Sequence, residues 1–396
     1  MDVFFNLFSD NEQLRKVGHE TIMKKAENPN YIFELFNSLE SHAGNPADET
    51  LLKSVSIVIH KILQNYWFAD FYFDDSQRIT IFRQLLKLLF LLPFNVRPIL
   101  EVSFLEFNLP LSMLTEALSL CFNQIQSNSL ENISTSINIM NYYFKNTKIS
   151  DNYIEFVKLL IPRIFQFVED LRNGKGENDL LSLILSNICD LFQFFTLIPQ
   201  SILIFPNFME VFSCILTTFS FVNSSTKLKL SICDLMLHFL EKIEIDPQIL
   251  TFFSSEILEF LKTTTSESFL YAKCFSVINL IMTKYHIFDE FINSSTIQEI
   301  FIPHSILTAD DLSTFNEIPE QFLAFFYGLE ENEITPRTAI FSIFKTICKD
   351  FNDQVDNLLL FCLEKVSQDL NPMKFEANLF IISCLISSRP HNIDVY

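Results

Sequence analysis

The side chains that usually carry catalysis or hold a metal are present in this 396-residue chain, but their spacing assembles neither function. Seven histidines stand at positions 19, 42, 60, 238, 286, 304 and 391, and no two lie one helical turn apart. The His-x-x-x-His clip that grips a zinc ion from one helix face is therefore missing. Eight cysteines (121, 189, 214, 233, 274, 348, 362 and 384) include no Cys-x-x-Cys pair and fall mostly within apolar runs. That is the pattern of buried thiols in a reducing compartment, rather than of a disulfide framework, a zinc site or a secreted chain. Gly-x-Gly-x-x-Gly, the Walker loop and the Gly-x-Ser-x-Gly elbow are all absent, and five glycines could hardly build one. Carboxylates abound, yet nothing singles out an acid–base pair. His60 and His238 sit in apolar helical runs and read as hydrogen-bonded core or rim residues. No enzyme, metal or cofactor is expected.

The same scarcity of glycine, set against 45 phenylalanines, describes the elements that must position any site. Such a chain buries large apolar side chains between regular elements joined by short connections. Apolar residues recur at helical spacing in four clear stripes: Leu51, Leu52, Val55, Ile59, Ile62 and Tyr66; Ile154, Val157, Ile161, Phe165 and Val168; Leu270, Cys274, Val277 and Ile281; Ile340, Phe344, Ile347 and Phe351. Helix starts are marked by a capping residue followed by proline at Asn28-Pro29, Asn45-Pro46, Asp246-Pro247, Thr335-Pro336 and Asn371-Pro372. Ser9 with Glu12 predicts a capping box.

These signals predict roughly eighteen helices returning in pairs about every 40 residues, the period of HEAT or armadillo units. The first expected pairs are 11–26 with 30–40, 48–66 with 75–92 and 96–107 with 110–126. The fold class expected is all-α, a right-handed α-α superhelix of HEAT/armadillo-like type, since no linker long enough to separate globular domains appears. From Ser305 to Pro336 the rhythm breaks, in an acidic segment carrying Asp310, Asp311, Glu317, Glu320, Glu330, Glu331 and Glu333 and no basic residue. It reads as a solvated inter-helix loop or as a partner-binding one.

A net charge of −20 argues against nucleic acid and anionic lipid, and favours protein partners with basic patches. Between Asp190 and Lys227 the only charge is Glu210, but Pro199, Pro206 and polar residues break the stretch below the roughly 20 residues a bilayer requires. No membrane span is expected there.

The first 67 residues resemble the N-terminal domain of the importin-β (karyopherin) superfamily of nuclear transport receptors. The resemblance rests on Phe4-Phe5-Asn6-Leu7-Phe8, Ser9-Asp10-Asn11-Glu12, Leu14-Arg15-Lys16, Ala26-Glu27-Asn28-Pro29-Asn30 and His60-Lys61-Ile62-Leu63-Gln64-Asn65-Tyr66-Trp67, in that order. A second block, Glu299-Ile300-Phe301-Ile302-Pro303 followed by Asp310-Asp311, Phe315-Asn316-Glu317, Pro319-Glu320-Gln321-Phe322 and Thr335-Pro336-Arg337, is similar to the middle of CAS-type exportins, which recycle importin-α, and of related importins. Residues 1–68 then correspond to importin N-terminal repeats and 69–396 to continuing HEAT-like repeats, in a chain short beside full receptors.

The resemblance implies a Ran-type GTPase in its GTP form and protein cargo, importin-α among the candidates, as partners of a monomer in nucleus and cytoplasm. It places Lys61 and Asn65 beside the GTPase footprint and Asp310, Asp311 and Glu317 in a partner-binding acidic segment. Trp67 is expected to pack a repeat interface. A cytoplasmic armadillo-like scaffold without GTPase binding is the alternative.

Overall fold

The computed structural model describes residues 9–69, 71–106, 111–146, 151–175, 177–197, 207–263, 268–287, 291–320, 335–368 and 371–388, with residues 4 and 6. Among these the chain is all helix, without a strand. It divides into two compact units, Met1–Arg163 and Ile164–Tyr396.

The first unit holds α1 (Glu12–Lys25), α2 (Tyr31–His42), α3 (Glu49–Tyr66), α4 (Asp75–Leu91), α5 (Arg97–Glu106), α6 (Leu111–Ile125), α7 (Leu130–Asn146) and the start of α8 (Asp151–Arg172). Helices stack in two rows: α3 packs on α5 and α5 on α7, while α2 packs on α4 and α4 on α6. The closest hairpins are α2 with α3, α4 with α5 and α6 with α7. Each joins the second helix of an expected pair to the first helix of the next, because short connections fall there, such as residues 126–129 between α6 and α7.

The second unit contains α9 (Asn178–Gln193), α10 (Phe208–Thr217), α11 (Thr226–Lys242), α12 (Pro247–Thr263), α13 (Ser268–Tyr285), α14 (residues 294–304), α15 (Ala309–Glu317), α16 (Pro336–Asp350), α17 (Asn352–Gln368) and α18 (Pro372–Ser387). One row runs α9, α11, α13, α16, α18, each packed on the one before, and beside it α10 packs on α12 and α12 on α14. Both units thus show the two-layer logic of helical repeats, in which each pair buries its apolar faces against its neighbours.

Burial follows the stripes closely. Leu270, Cys274, Val277 and Ile281 of α13 and Ile340, Phe344 and Ile347 of α16 are buried. On α8 the buried face is turned from the expected one: Tyr153, Phe156, Leu160, Ile164 and Phe167 are buried with Val157 and Val168, while Ile154, Ile161 and Phe165 are only partly so. The bulky rings win the inner positions, Phe156 meeting Phe122 at 5.5 Å and Phe144 meeting Tyr153 at 5.0 Å. A buried side chain of this size contributes about 1.5–3 kcal/mol, against about 1 kcal/mol for a cap. Packing therefore sets helix rotation, and caps set helix ends.

Three of the proline-marked starts appear as read: Asp246 accepts from Gln248 N, Thr335 forms a capping box with Thr338, and Asn371 accepts from Met373 N. Asn45-Pro46 opens a single 3-10 turn, Pro46–Asp48, before α3 begins. Two readings are corrected. Asn11, not Ser9, caps α1, accepting from Gln13 N at 2.9 Å, while Ser9 Oγ accepts from Asn11 N. Asn28 makes a local turn to Asn30 N, and α2 starts only at Tyr31. In both places two neighbouring acceptors compete, and the one two residues downstream lies at the helix start.

With few glycines available, helix C-termini find donors elsewhere. Gly174 is the only glycine at positive φ (61°) among the described residues, and it ends α8. Other helix ends rely on side chains from one repeat further along: Tyr72 Oη donates to Ala26 O, Arg163 Nη2 to Ser127 O at 3.0 Å, Lys284 Nζ to Leu240 O at 2.5 Å and Ile243 O at 2.7 Å, and His304 Nε2 to Leu261 O at 2.8 Å. Their sequence separations run from 36 to 46 residues, which is the repeat period written in hydrogen bonds. Such donors satisfy the orphan carbonyls that every helix end leaves.

One stretch, Asn178–Leu197, is long and apolar enough to cross a bilayer by length and composition; it overlaps only the start of the Asp190–Lys227 stretch read above as too broken to span. Two thirds of its most apolar window is buried inside the fold (67%), where α9 packs against α11. His238 bonds Thr196 Oγ1 at 2.8 Å, in keeping with its expected role. All eight cysteines are free thiols, buried except for the partly exposed Cys214.

Candidate partner-binding site

The N-terminal face is built on α3. Its inner side buries Leu51, Leu52, Val55, Val58, Ile59, Ile62 and Leu63, and His60 ties it to α5 through Nδ1 and Ser103 Oγ at 2.9 Å. The opposite side presents Lys61, Gln64 and Asn65 to solvent, and Phe68 lies one further turn along, 67% exposed. Positions 61, 65 and 68 share one helix face by spacing. Lys61 and Asn65 therefore stand together and accessible.

The turn that follows is densely aromatic. Trp67 is buried beside Phe73 of the same turn, with ring centroids 6.5 Å apart. Tyr66 and Tyr72 stack at 4.1 Å, and Tyr72 reaches back to Ala26 O. Burial, with the nearby Tyr66 second, pushes the Tyr72 phenol up to about 12, so it stays a donor. Between these anchored rings Phe71 takes a left-handed backbone (φ 67°) and is fully exposed. Sequence reasoning passed over Phe71. Its only signal was a large apolar residue in a turn, where a polar one or glycine is usual.

The acidic segment is not a loop throughout. Thr308 and Asp311 form a reciprocal cap: Asp311 Oδ2 accepts from Thr308 N at 2.7 Å, and Thr308 Oγ1 accepts from Asp311 N at 3.1 Å. This Thr-x-x-Asp box starts α15, a helix the sequence reading omitted because acidic composition masked its cap. Asp311 is thus occupied locally, and Glu317 accepts from Ser313 Oγ at 3.1 Å within the same helix. Asp310 lies on α15, its side chain outside the described residues, as do Phe322, Gly328, Glu330, Glu331 and Glu333. Exposed Leu312, Phe315 and Ile318 accompany the carboxylates. Just before it, α14 includes a π-helical turn at Ile297–Phe301, which ends two residues before Pro303. Lys61 and Asn65 belong to the first unit and Asp310, Asp311 and Glu317 to the second.

Arg337, which opens α16, is buried and grips Glu376 of α18 in a two-pronged pair, Nη1 to Oε2 at 3.0 Å and Nη2 to Oε1 at 2.7 Å. Its guanidinium also lies 4.1 Å from the Phe380 ring centroid. In the first unit Arg97 is buried likewise, bonded to Leu92 O, Asn132 and Thr135 and paired with Glu131. Burial lowers the Arg97 affinity for its proton, with Glu131 acting in the opposite sense. These arginines fix the register of neighbouring helices. Among the described residues no group of three His, Cys, Asp or Glu side chains converges as a metal site would require.

No family model and no curated protein sequence matches the chain. Solved structures do. The exportin Cse1 in its cargo-free, cytoplasmic state superimposes over 97% of this chain and 47% of its own, with a TM-score of 0.67 and 15% identity. The fold is that of nuclear transport receptors. Lph2, a bidirectional nuclear transport receptor of S. cerevisiae, matches over 98% of this chain and 44% of its own, with a TM-score of 0.61 and 10% identity. Kap121p bound to RanGTP matches over 98% and 44%, with a TM-score of 0.50 and 14% identity. The chain spans less than half the length of each of these receptors. The all-α repeat fold expected from helical periodicity, and from the resemblance at residues 1–67 and 299–337, is thus the fold found over nearly the whole chain.

Proposed function

We propose that this chain is a nuclear transport receptor-like protein that binds a Ran-type GTPase in its GTP form and protein cargo, and that it moves between nucleus and cytoplasm. The observation that carries this reading is the likeness to Cse1 over 97% of the chain, joined to the exposed Lys61 and Asn65 at the end of α3. In this proposal residues 1–68 supply the N-terminal repeats for the GTPase and 69–396 the remaining repeats, which hold cargo. A charge of −20 suits basic cargo surfaces, because an excess of carboxylates speeds their capture and disfavours wrong partners. Asp310, Asp311 and Glu317 would act through α15 as part of the cargo-facing acid, and importin-α is one candidate cargo. The role asks for no chemistry from the receptor; shape and charge do the work.

Capture of purified Ran loaded with GTP or GDP tests the reading. Retention of the GTP form alone is the expected result. Equal absence of both forms would leave the armadillo-like scaffold as the account of this fold. Lys61→Glu should weaken retention of the GTP form without changing the far-UV spectrum.

A further inference from the structure

The turn between α3 and α4 breaks two local rules at one residue. Phe71 is a bulky side chain held at φ 67°, a conformation that glycine adopts without a Cβ clash and that asparagine offsets by local hydrogen bonding, neither of which is open to phenylalanine. It is also fully exposed, where an apolar ring gains nothing from the fold. Its surroundings do not let it relax. Trp67 and Phe73 are buried on either side of the turn, Tyr72 stacks on Tyr66 and bonds Ala26 O, and the backbone of Ala69 bonds Tyr66 O. Of the five aromatic residues between 67 and 73, three anchor the turn inward, and Phe68 and Phe71 face solvent. Strain that persists because the neighbourhood over-determines it is typical of positions with a task outside the fold.

We propose that Phe71 is the anchor of the GTPase-binding face, a ring held out in advance to enter an apolar socket on the partner. The inference rests on the GTPase reading above and names the residue that carries its affinity. Rigid aromatic anchors dominate protein interfaces because they bring much contact area and lose little freedom on binding. Lys61 and Asn65 stand on the α3 face that Phe68 extends toward the turn, so the helix leading into the turn offers the same partner one cation and one amide. The matching partner surface is an apolar depression bordered by carboxylates or carbonyl oxygens.

The test uses the full chain and a fluorescently labelled Ran-type GTPase loaded with a non-hydrolysable GTP analogue, read by anisotropy, with melting temperature measured in parallel. Phe71→Gly is expected to weaken binding about tenfold or more, while melting no lower than the parent because glycine relieves the backbone. Phe71→Tyr should bind nearly as the parent does. Val222→Ala, at an equally exposed position of the second unit, should change nothing. Parent-like binding by Phe71→Gly overturns this inference and leaves the GTPase reading standing. Failure of the parent chain to bind either nucleotide form removes both. Self-association of the parent that Phe71→Gly abolishes, without an effect on GTPase binding, would assign the ring to a second copy instead and overturn the proposal.

Discussion

Removing either partner of the Arg337–Glu376 pair should destabilise the second unit, and the two removals should differ in a way the structure dictates. Arg337 has a side chain 7% exposed, whereas Glu376 is 39% exposed. Glu376→Ala leaves a largely shielded guanidinium without its carboxylate; a broken buried pair costs about 3–5 kcal/mol, and the exposure of Glu376 puts this one toward the lower end. Arg337→Ala leaves a carboxylate that can rehydrate; the loss is then the charge-assisted bonds and the contact with Phe380, about 2–3 kcal/mol. A double-mutant cycle should give a coupling of about 1.5–3 kcal/mol, within the range for residues in direct contact. Urea titration followed by far-UV circular dichroism measures all three. Trp67, the only tryptophan, sits in the first unit, so its fluorescence shows whether an effect has spread beyond the second. The reasoning is wrong if Arg337→Ala costs as much as Glu376→Ala, or if both cost less than about 1 kcal/mol.

Acid should weaken the second unit through His304. Burial lowers the pKa of this imidazole, with the bond to Leu261 O opposing, so the unfolded chain takes up the proton first as pH falls. Its effect is absent above the unfolded value of about 6.5, grows below it and levels off below the folded value. His304→Gln should flatten melting temperature against pH in that window; an unchanged slope would refute this. Burial pushes the thiols of Cys121, Cys362 and Cys384 up to about 12, and raises those of Cys189 and Cys274 well above the ordinary thiol range. In the native protein a thiol reagent at neutral pH should therefore modify the partly exposed Cys214 first, and all eight only in denaturant. Rapid native modification of several thiols would contradict the burial described.

Helices and their apolar faces were legible because both depend on residues three or four positions apart. Caps were legible where one acceptor stood alone, as at Thr335, and misplaced where two competed, as at Ser9 and Asn11. The burial of Arg97 and Arg337 could not be foreseen, since their partners Glu131 and Glu376 lie 34 and 39 residues away and meet them only once helices stack. Phe71 escaped notice because a left-handed backbone at phenylalanine has no sequence signature. The start of α15 was hidden by composition, with Thr308 and Asp311 read as part of an acidic run rather than as a pair.

The donors that finish helix ends from a repeat further along have a consequence for how such a chain comes into being. While it leaves the ribosome, the last carbonyls of α11 have no partner until Lys284, some 40 residues behind, has emerged and docked. Maturation within each unit is then a relay, in which every newly arrived pair seals the frayed tail of its predecessor.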